Sequence, residues 1–145
     1  MFKISLMDHS DLEEAYKIEL ETNPNPWSKD NFFSSLEVGH NSIVCKYNKD
    51  IVGFLIFSRI EKQSHLLNIA VLKKWQKKGA GSILMDVFIK QSKALGAKIV
   101  FLEVRSKNIN AINFYTKFNF VKDAVRANYY TGIKSDDAVL MSLKI

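Results

Sequence analysis

The chain has 145 residues, of which 47% are hydrophobic and 25% are charged. These figures predict one domain over residues 1–145 with a packed core, and they exclude a disordered chain. Cys45 is the single cysteine, which excludes a disulfide framework and a cysteine-rich zinc site. Charged residues begin too early for a secretory signal and the apolar runs are too short to cross a membrane, so we expect a soluble cytoplasmic protein.

The net charge of +6 and the isoelectric point of about 9.4 allow two interpretations. One is a polyanionic partner, such as RNA, a ribosome or a phosphorylated cofactor. The other is a lysine-rich surface whose charges are simply solvated. The lysines are scattered, and basic stretches interleaved with aromatic residues are few, which favours the second interpretation.

The spacing of the apolar residues predicts the order β-α-α-β-β-β-α-β-α-β-β. The predicted elements are an N-terminal strand, helices over 11–20 and 29–37, strands over 42–48, 51–60 and 65–72, a helix over 82–95, a strand over 98–104, a helix over 108–118, and strands over 119–130 and 137–145. Consecutive antiparallel strands, followed by a crossover helix and a parallel return, predict an α/β fold. Its sheet is mixed, mostly antiparallel and of about seven strands, with helices on both faces.

Four local signals mark where these elements begin and end. Asp8 or Ser10 is placed to cap the first helix, and Ser28 to cap the second. Gly96 follows the third helix, where a left-handed cap favours glycine. The hairpin-like turn between the strands over 42–48 and 51–60 is predicted at "KD", residues 49–50.

The turn before the third helix has the sequence WQKKGAGS, residues 75–82. The first amides of a helix have no partner within the helix, and the absence of side chains at Gly79 and Gly81 lets an anion approach them. Lys77 and Lys78 add positive charge, so the turn is suited to a phosphate. It matches neither the nucleotide-triphosphate loop nor the dinucleotide fingerprint. By spacing alone, an ordinary turn with two glycines at the helix entrance explains it equally well.

A resemblance to a known family rests on motifs spread along the whole chain. They are PWS at 26–28, LLNIAV at 66–71, QKKGAG at 76–81, LEVR-x-x-N-x-x-A-I-x-x-Y at 102–115 and R-x-N-Y-Y at 126–130. The third is similar to the Q/R-x-x-G-x-G/A signature of the GNAT superfamily of acetyl-CoA-dependent N-acetyltransferases. In this order and spacing, the set resembles the RimI-type ribosomal-protein alanine N-acetyltransferases.

The resemblance implies a GNAT fold with splayed central strands, acetyl-CoA as co-substrate and no metal. It places the thioester and the pantetheine arm beside Ile69, Ala70 and Val71, whose strand separates from its neighbour to admit them. Asn108 contacts the cofactor from the start of the next helix. The resemblance places the pyrophosphate on the turn formed by Lys77, Lys78, Gly79, Ala80, Gly81 and Ser82.

Glu103 interrupts an apolar strand, where a buried carboxylate is costly unless it is paired or its pKa rises. A raised pKa suits a base that takes a proton from an ammonium group. From the residues alone, an ion pair with Arg105 on the same strand face is at least as good an explanation. The resemblance implies that Glu103 is the catalytic base.

Tyr115 lies on one helix face with Ile112 and Phe118, which by itself indicates a core aromatic. The resemblance implies that its phenol protonates the leaving thiolate. Asn108 is also a natural cap of that helix. Tyr129 and Tyr130 either line the peptide slot or pack along a strand, and the sequence favours neither.

Two positions depart from the resemblance. His65 stands where relatives of this type often carry glutamate, which affects the acidic side of the peptide slot. Asn119 stands where glycine is usual, but asparagine tolerates the left-handed conformation that a helix end needs. His9, His40 and His65 form no catalytic triad and no metal spacing.

The function implied is acetylation of an N-terminal α-amine, most simply an alanine of a small-subunit ribosomal protein, with no membrane and no nucleic-acid contact required. An α-amine has a reference pKa near 8 and a lysine side chain one near 10.4, so the α-amine needs only a modest base. Two alternatives stay open. One is a GNAT enzyme for another amine, namely a lysine, a polyamine or a small molecule, and the other is a non-catalytic module that binds acetyl-CoA or RNA.

Overall fold

A computed structural model describes residues 1–132 and 134–145. The strands are β1 (Phe2–Leu6), β2 (Asn41–Tyr47), β3 (Asp50–Ile60), β4 (Gln63–Val71), β5 (Ile99–Arg105), β6 (Val121–Tyr130) and β7 (Asp136–Lys144). The α-helices are α1 (Leu12–Thr22), α2 (Lys29–Glu37), α3 (Ala80–Ala94) and α4 (Ile109–Lys117). The predicted order of elements is confirmed. Within the described residues, no helix is long and apolar enough to cross a membrane.

All of these strands belong to one sheet with the order β1-β2-β3-β4-β5-β7-β6. The pair β4–β5 is parallel and the other neighbouring pairs are antiparallel. The parallel pair arises because α3 carries the chain back across the sheet between β4 and β5, whereas short turns join β2, β3 and β4. The predicted mixed, mostly antiparallel fold is therefore confirmed.

Two groups of buried side chains lie on opposite faces of the sheet. Along β3, Leu55 and Phe57 pack with α3, while Phe54 and Ile56 pack with α1 and α2. This is the period-2 alternation of a strand covered on both faces. The apolar run of β3 therefore marks it as a central strand, and the helices are on both faces as predicted.

The central strands β4 and β5 separate part-way along their length. Within the described residues their pairing comprises Gln63–Ile99, Ser64–Val100 and His65–Phe101, and it ends there. A β-bulge follows at once, because the register with β3 shifts at Leu67. Beyond His65, β4 continues along β3 and β5 along β7. The result is a gap between the two strands, open toward their carboxyl ends.

Gly53 holds β4 close to β3 and α3 beside this gap. A Cβ atom there would lie 2.8 Å from the Ala70 carbonyl oxygen, 3.1 Å from Val71 Cγ2 and 3.2 Å from Leu84 Cδ1. A backbone atom at 2.8 Å cannot move aside without moving β4. The position therefore needs glycine because of close approach and not because of its backbone angles.

Several ends of the elements follow the local signals. Ser28 Oγ caps α2 as predicted, accepting from Asn31 N at 3.1 Å. The predicted cap of α1 was wrong: Asp8 accepts from Ser10 N at 2.9 Å and caps the short 3-10 turn His9–Asp11, whereas the N-cap of α1 itself is Asp11, which makes no side-chain capping bond. Gly96 ends α3 with a φ of 93°, as predicted.

Asn119 ends α4 with a φ of 72°, so the asparagine adopts the left-handed conformation predicted for it. Several predicted boundaries differ from the structure by one or two residues, and the turn between β2 and β3 is one of them. The β2–β3 turn is Asn48–Lys49 and not residues 49–50, because Asn48 takes a φ of 56° and Asp50 already belongs to β3.

Candidate active site

Glu103 and His65 meet where β4 and β5 separate. Leu102 and Val104 face the α3 core, so alternation turns Glu103 to the opposite face. Its Oε2 lies 2.5 Å from His65 Nε2, within hydrogen-bonding distance. The predicted burial of Glu103 was wrong, because 25% of its side chain and 40% of that of His65 are exposed. The pair therefore presents a carboxylate and an imidazole to an open cleft.

The ion pair between Glu103 and Arg105, the alternative left open by the sequence, is not what the structure shows. The Arg105 guanidinium carbon lies 4.2 Å from the centre of the Tyr130 ring, and Nη1 donates to the Lys134 carbonyl at 2.5 Å. These contacts turn Arg105 toward β6 and the segment after it. Glu103 is thus free to hold His65.

Tyr115 projects from α4 into the core and is 8% exposed. Its ring packs at 5.6 Å from Phe114 and 5.9 Å from Phe120. Burial, and then neighbouring Tyr130, raise the pKa of Tyr115 well above its ordinary value. The phenol is therefore neutral over the whole range in which an enzyme works, and it can donate a proton or a hydrogen bond without bringing charge into the core.

Tyr130 is influenced by Glu103 and in turn influences Tyr115. Burial and, after it, the Glu103 carboxylate raise the pKa of Tyr130 to about 12, although Arg105 acts in the opposite direction. Tyr129 is 41% exposed and packs edge-on against the Tyr130 ring at 5.1 Å. The aromatic pair thus lies at the end of β6, and Tyr130 is within electrostatic range of both Glu103 and Tyr115.

A groove of about 580 Å³ opens beside His65 and Glu103. Apolar side chains from β3, β5 and β7 form much of its lining, including Ile60, Phe101 and Leu140. The groove therefore combines an apolar floor with the Glu103 carboxylate and the His65 imidazole at its edge.

The turn between β4 and α3 leaves a set of amides free to bind an anion. The first helical hydrogen bond runs from Ile83 N to the Gly79 carbonyl at 3.0 Å, so the amides of residues 79–82 precede it. Gly79 has a φ of 99°, a conformation that suits glycine. Gln76 Nε2 donates to the Val71 carbonyl at 2.9 Å and fastens the turn to the end of β4. Lys77 and Lys78 are exposed at the rim.

The helix that carries Tyr115 lies against this turn. A Cβ atom on Gly81 would touch the Phe114 ring at 3.5 Å. Asn108 caps the same helix, accepting from Ala111 N at 3.2 Å, which confirms its predicted structural role. Ile69, Ala70 and Val71 form the end of β4 beside the gap. The structure therefore brings the predicted anion turn against the end of β4 and against α4, the helix that Asn108 caps and that carries Tyr115.

Comparisons with known proteins identify the family. Residues 12–120 match the family described as the Acetyltransferase (GNAT) family. The chain belongs to the GNAT family of acetyltransferases. The [Ribosomal protein bS18]-alanine N-acetyltransferase of Salmonella typhimurium is 31% identical, over 100% of this chain and 99% of that protein. An N-alpha-acetyltransferase of Sulfolobus acidocaldarius is 30% identical, over 97% and 91% of the two chains.

The fold of this GNAT enzyme is close to that of a solved relative. The crystal structure of the ribosomal-protein-S18-alanine N-acetyltransferase from Escherichia coli has a TM-score of 0.93 and 32% identity, with 100% of this chain and 94% of that chain covered. The resemblance noted in the sequence is confirmed, and so is an acetyltransferase activity. Among the described residues no group of three histidine, cysteine or acidic side chains is placed to hold a metal.

Replacing Gly81 by glutamate should lower the affinity for acetyl-CoA at least about tenfold, roughly 1.4 kcal/mol. The side chain would bring bulk and negative charge to amides that we assign to the pyrophosphate. Calorimetric titration with acetyl-CoA measures the change.

Gly81→Gln has nearly the same shape without the charge, so its loss of affinity should be smaller. Gly81→Ala, whose Cβ meets Phe114 at an ordinary 3.5 Å, tests whether the fold tolerates a side chain. Unchanged affinity in a folded Gly81→Glu enzyme would refute the assignment.

Proposed function

We propose that this enzyme transfers the acetyl group of acetyl-CoA to the α-amine of an N-terminal alanine, and that the acceptor is a ribosomal protein of the small subunit. The main support is the match to relatives named for bS18-alanine acetylation, which extends over the whole chain. A cytoplasmic location is part of the proposal, since ribosomal proteins are made there. Neither a membrane nor contact with nucleic acid is needed.

The acceptor amine must lose a proton for its nitrogen to attack the thioester carbonyl. We assign this proton to Glu103, whose carboxylate faces the cleft and is within hydrogen-bonding distance of His65. The exposed imidazole of His65 gives the proton a route to solvent. The α-amine has a reference pKa near 8, so a carboxylate held by an imidazole is a sufficient base.

As the C–N bond forms and the C–S bond breaks, the thiolate of CoA must gain a proton. We assign its donor to Tyr115, which is buried and neutral. An ammonium acceptor loses two protons in becoming an amide. The first leaves through Glu103 to solvent, and the second, released from nitrogen once the C–N bond has formed, replaces the proton that Tyr115 gives to the thiolate. The products are the acetylated amine, free CoA thiol and one proton in solvent. Glu103 and Tyr115 come from β5 and α4, and Tyr130 is within electrostatic range of both.

The co-substrate is assigned to the side of the gap that faces α3 and α4. The pyrophosphate would be held by the amides and side chains of Lys77, Lys78, Gly79, Ala80, Gly81 and Ser82. The exposed edge of β4 at Ile69, Ala70 and Val71 would pair with the amides of the pantetheine arm, as a short added strand. Asn108 would contact the cofactor from the start of α4.

The enzyme should acetylate a peptide that begins with the N-terminal residues of the small-subunit protein, and should do so on the α-amine. The measurement is mass spectrometry with fragmentation after incubation with acetyl-CoA. The matched control is the same peptide blocked at its α-amine, which should not react. Modification of an internal lysine instead would leave an acetyltransferase but refute the N-terminal assignment.

A further inference from the structure

Glu19 is a buried carboxylate for which the proposed chemistry has no use. It lies in α1, and none of its surface is exposed (0%). The ion pairs of the described residues do not include it, so no cation compensates its charge there. Burying such a group is expensive unless several hydrogen bonds hold it. The stability of α1 alone does not explain why this carboxylate is buried.

Three neutral N–H donors bind Glu19, and they come from two different parts of the site. Oε2 accepts from Trp27 N and from Asn23 Nδ2, both at 3.0 Å. Oε1 accepts from Asn68 Nδ2 at 3.0 Å. The first oxygen therefore binds the α1–α2 loop, and the second binds β4. The Trp27 carbonyl is also held, because Tyr16 Oη donates to it at 2.8 Å.

Asn68 lies in the part of β4 that has separated from β5. It follows the bulge at Leu67 and lies beyond His65, the last β4 residue paired with β5. The next three residues, 69–71, are those assigned to the pantetheine arm. The contact from Glu19 therefore fixes β4 at the point where the strand leaves its neighbour.

We propose that Glu19 is a positioning residue that fixes the α1–α2 loop and the acetyl-donor strand β4 relative to each other through its two carboxylate oxygens. The inference deepens the proposed function and rests on it. The link sets the position of the β4 edge that is assigned to the pantetheine arm, and with it the position of the thioester relative to Glu103. A displacement of about 1 Å in such an alignment can cost on the order of 10²-fold in rate. Each substrate keeps its own binding contacts. The loss should therefore appear in kcat and not in the acetyl-CoA dissociation constant or the peptide KM.

The test is a swap of the acid and the amide. Asn68→Asp places a second carboxylate against Glu19, and two such groups in contact cannot both be ionised. We expect kcat to fall at least about tenfold, while the acetyl-CoA dissociation constant and the peptide KM stay within about twofold. The variant Glu19→Gln/Asn68→Asp restores a hydrogen bond between an amide and a carboxylate. The amide at position 19 now donates to the carboxylate at position 68. This variant should return kcat to within about threefold of the unaltered enzyme.

Asn68→Ala is the second variant, in case Asn68→Asp does not fold. It removes the link to β4 but leaves the Trp27 and Asn23 contacts, and it should show the same split between kcat and binding. Asn31→Ala, an exposed asparagine of α2, is the matched control and should behave as the unaltered enzyme. Calorimetric titration with acetyl-CoA gives the fraction of each preparation that is folded, and kcat is calculated for that fraction.

Hydrogen exchange provides a readout that does not require turnover. The Trp27 amide should exchange at least about tenfold faster in Asn68→Asp and return toward its original rate in the swapped variant. An unchanged kcat and exchange rate in folded Asn68→Asp, or a loss that the swap does not repair, would overturn the role of Glu19. If the unaltered enzyme leaves the alanine peptide unmodified, the proposed function fails, and the exchange rates alone then decide whether the link exists.

Discussion

Replacing Glu103 by glutamine should lower kcat by about 10²- to 10⁴-fold, the usual contribution of a general base. Glutamine keeps the shape of the side chain, and its carbonyl oxygen can still accept from His65 Nε2, so the strand should keep its geometry. What disappears is the group that takes a proton from the acceptor amine. Steady-state kinetics with an alanine peptide, at saturating acetyl-CoA, measures the loss.

The pH dependence separates this role from a structural one. A base must be deprotonated to act, so its own limb of the rate profile appears as activity lost on acidification. In Glu103→Gln that limb should weaken or move, whereas the rise near pH 8 that comes from the amine should remain. Asp86→Asn, which removes an exposed carboxylate from α3, is the matched control. Near-normal kcat in Glu103→Gln would reduce Glu103 to a structural partner of His65.

Local patterns predicted most of the fold correctly. The apolar run of β3 and the alternation in β5 determine which strands are central and which faces are covered. Ser28, Gly96 and Asn119 occupy helix ends whose requirements are local, so their roles were predictable. The β2–β3 turn was misplaced by one residue because the left-handed position falls on Asn48, which the prediction had assigned to the strand.

The site was only partly predictable, because its contacts join distant parts of the chain. His65 and Glu103 are 38 residues apart, and their contact depends on the parallel register of β4 and β5. The alternation of β5 predicted Arg105 on the same strand face as Glu103. It could not predict that the Tyr130 ring holds the guanidinium away from Glu103. The network around Glu19 spans 49 residues to Asn68 and has no local signature. Glutamate within an amphipathic helix normally indicates a solvent-exposed position.

Replacing Tyr115 by phenylalanine should lower kcat by about 10²- to 10⁴-fold and leave acetyl-CoA binding within about twofold. The ring stays in its packing against Phe114 and Phe120, so the change removes only the hydroxyl. The lost interaction forms as the thiolate leaves, and for this reason it affects the transition state more than the bound ground state.

The raised pKa of Tyr115 does not disqualify it as the acid. A reference phenol near 10 is already a weaker acid than a reference thiol near 8.5, and burial increases the pKa of both groups because each becomes charged on losing its proton. The thiolate formed beside Tyr115 is therefore more basic than it is in water. An acid acts while it is protonated, so Tyr115 should contribute no alkaline limb below about pH 10.

The leaving group tests this assignment directly. An acetyl donor whose thiol has a lower pKa needs less protonation, so the ratio of the unaltered rate to the Tyr115→Phe rate should shrink with that donor. Tyr47→Phe removes a phenol from β2 and should change neither rate. If Tyr115→Phe has near-normal kcat with both donors, Tyr115 is a core aromatic, and another group protonates the thiolate.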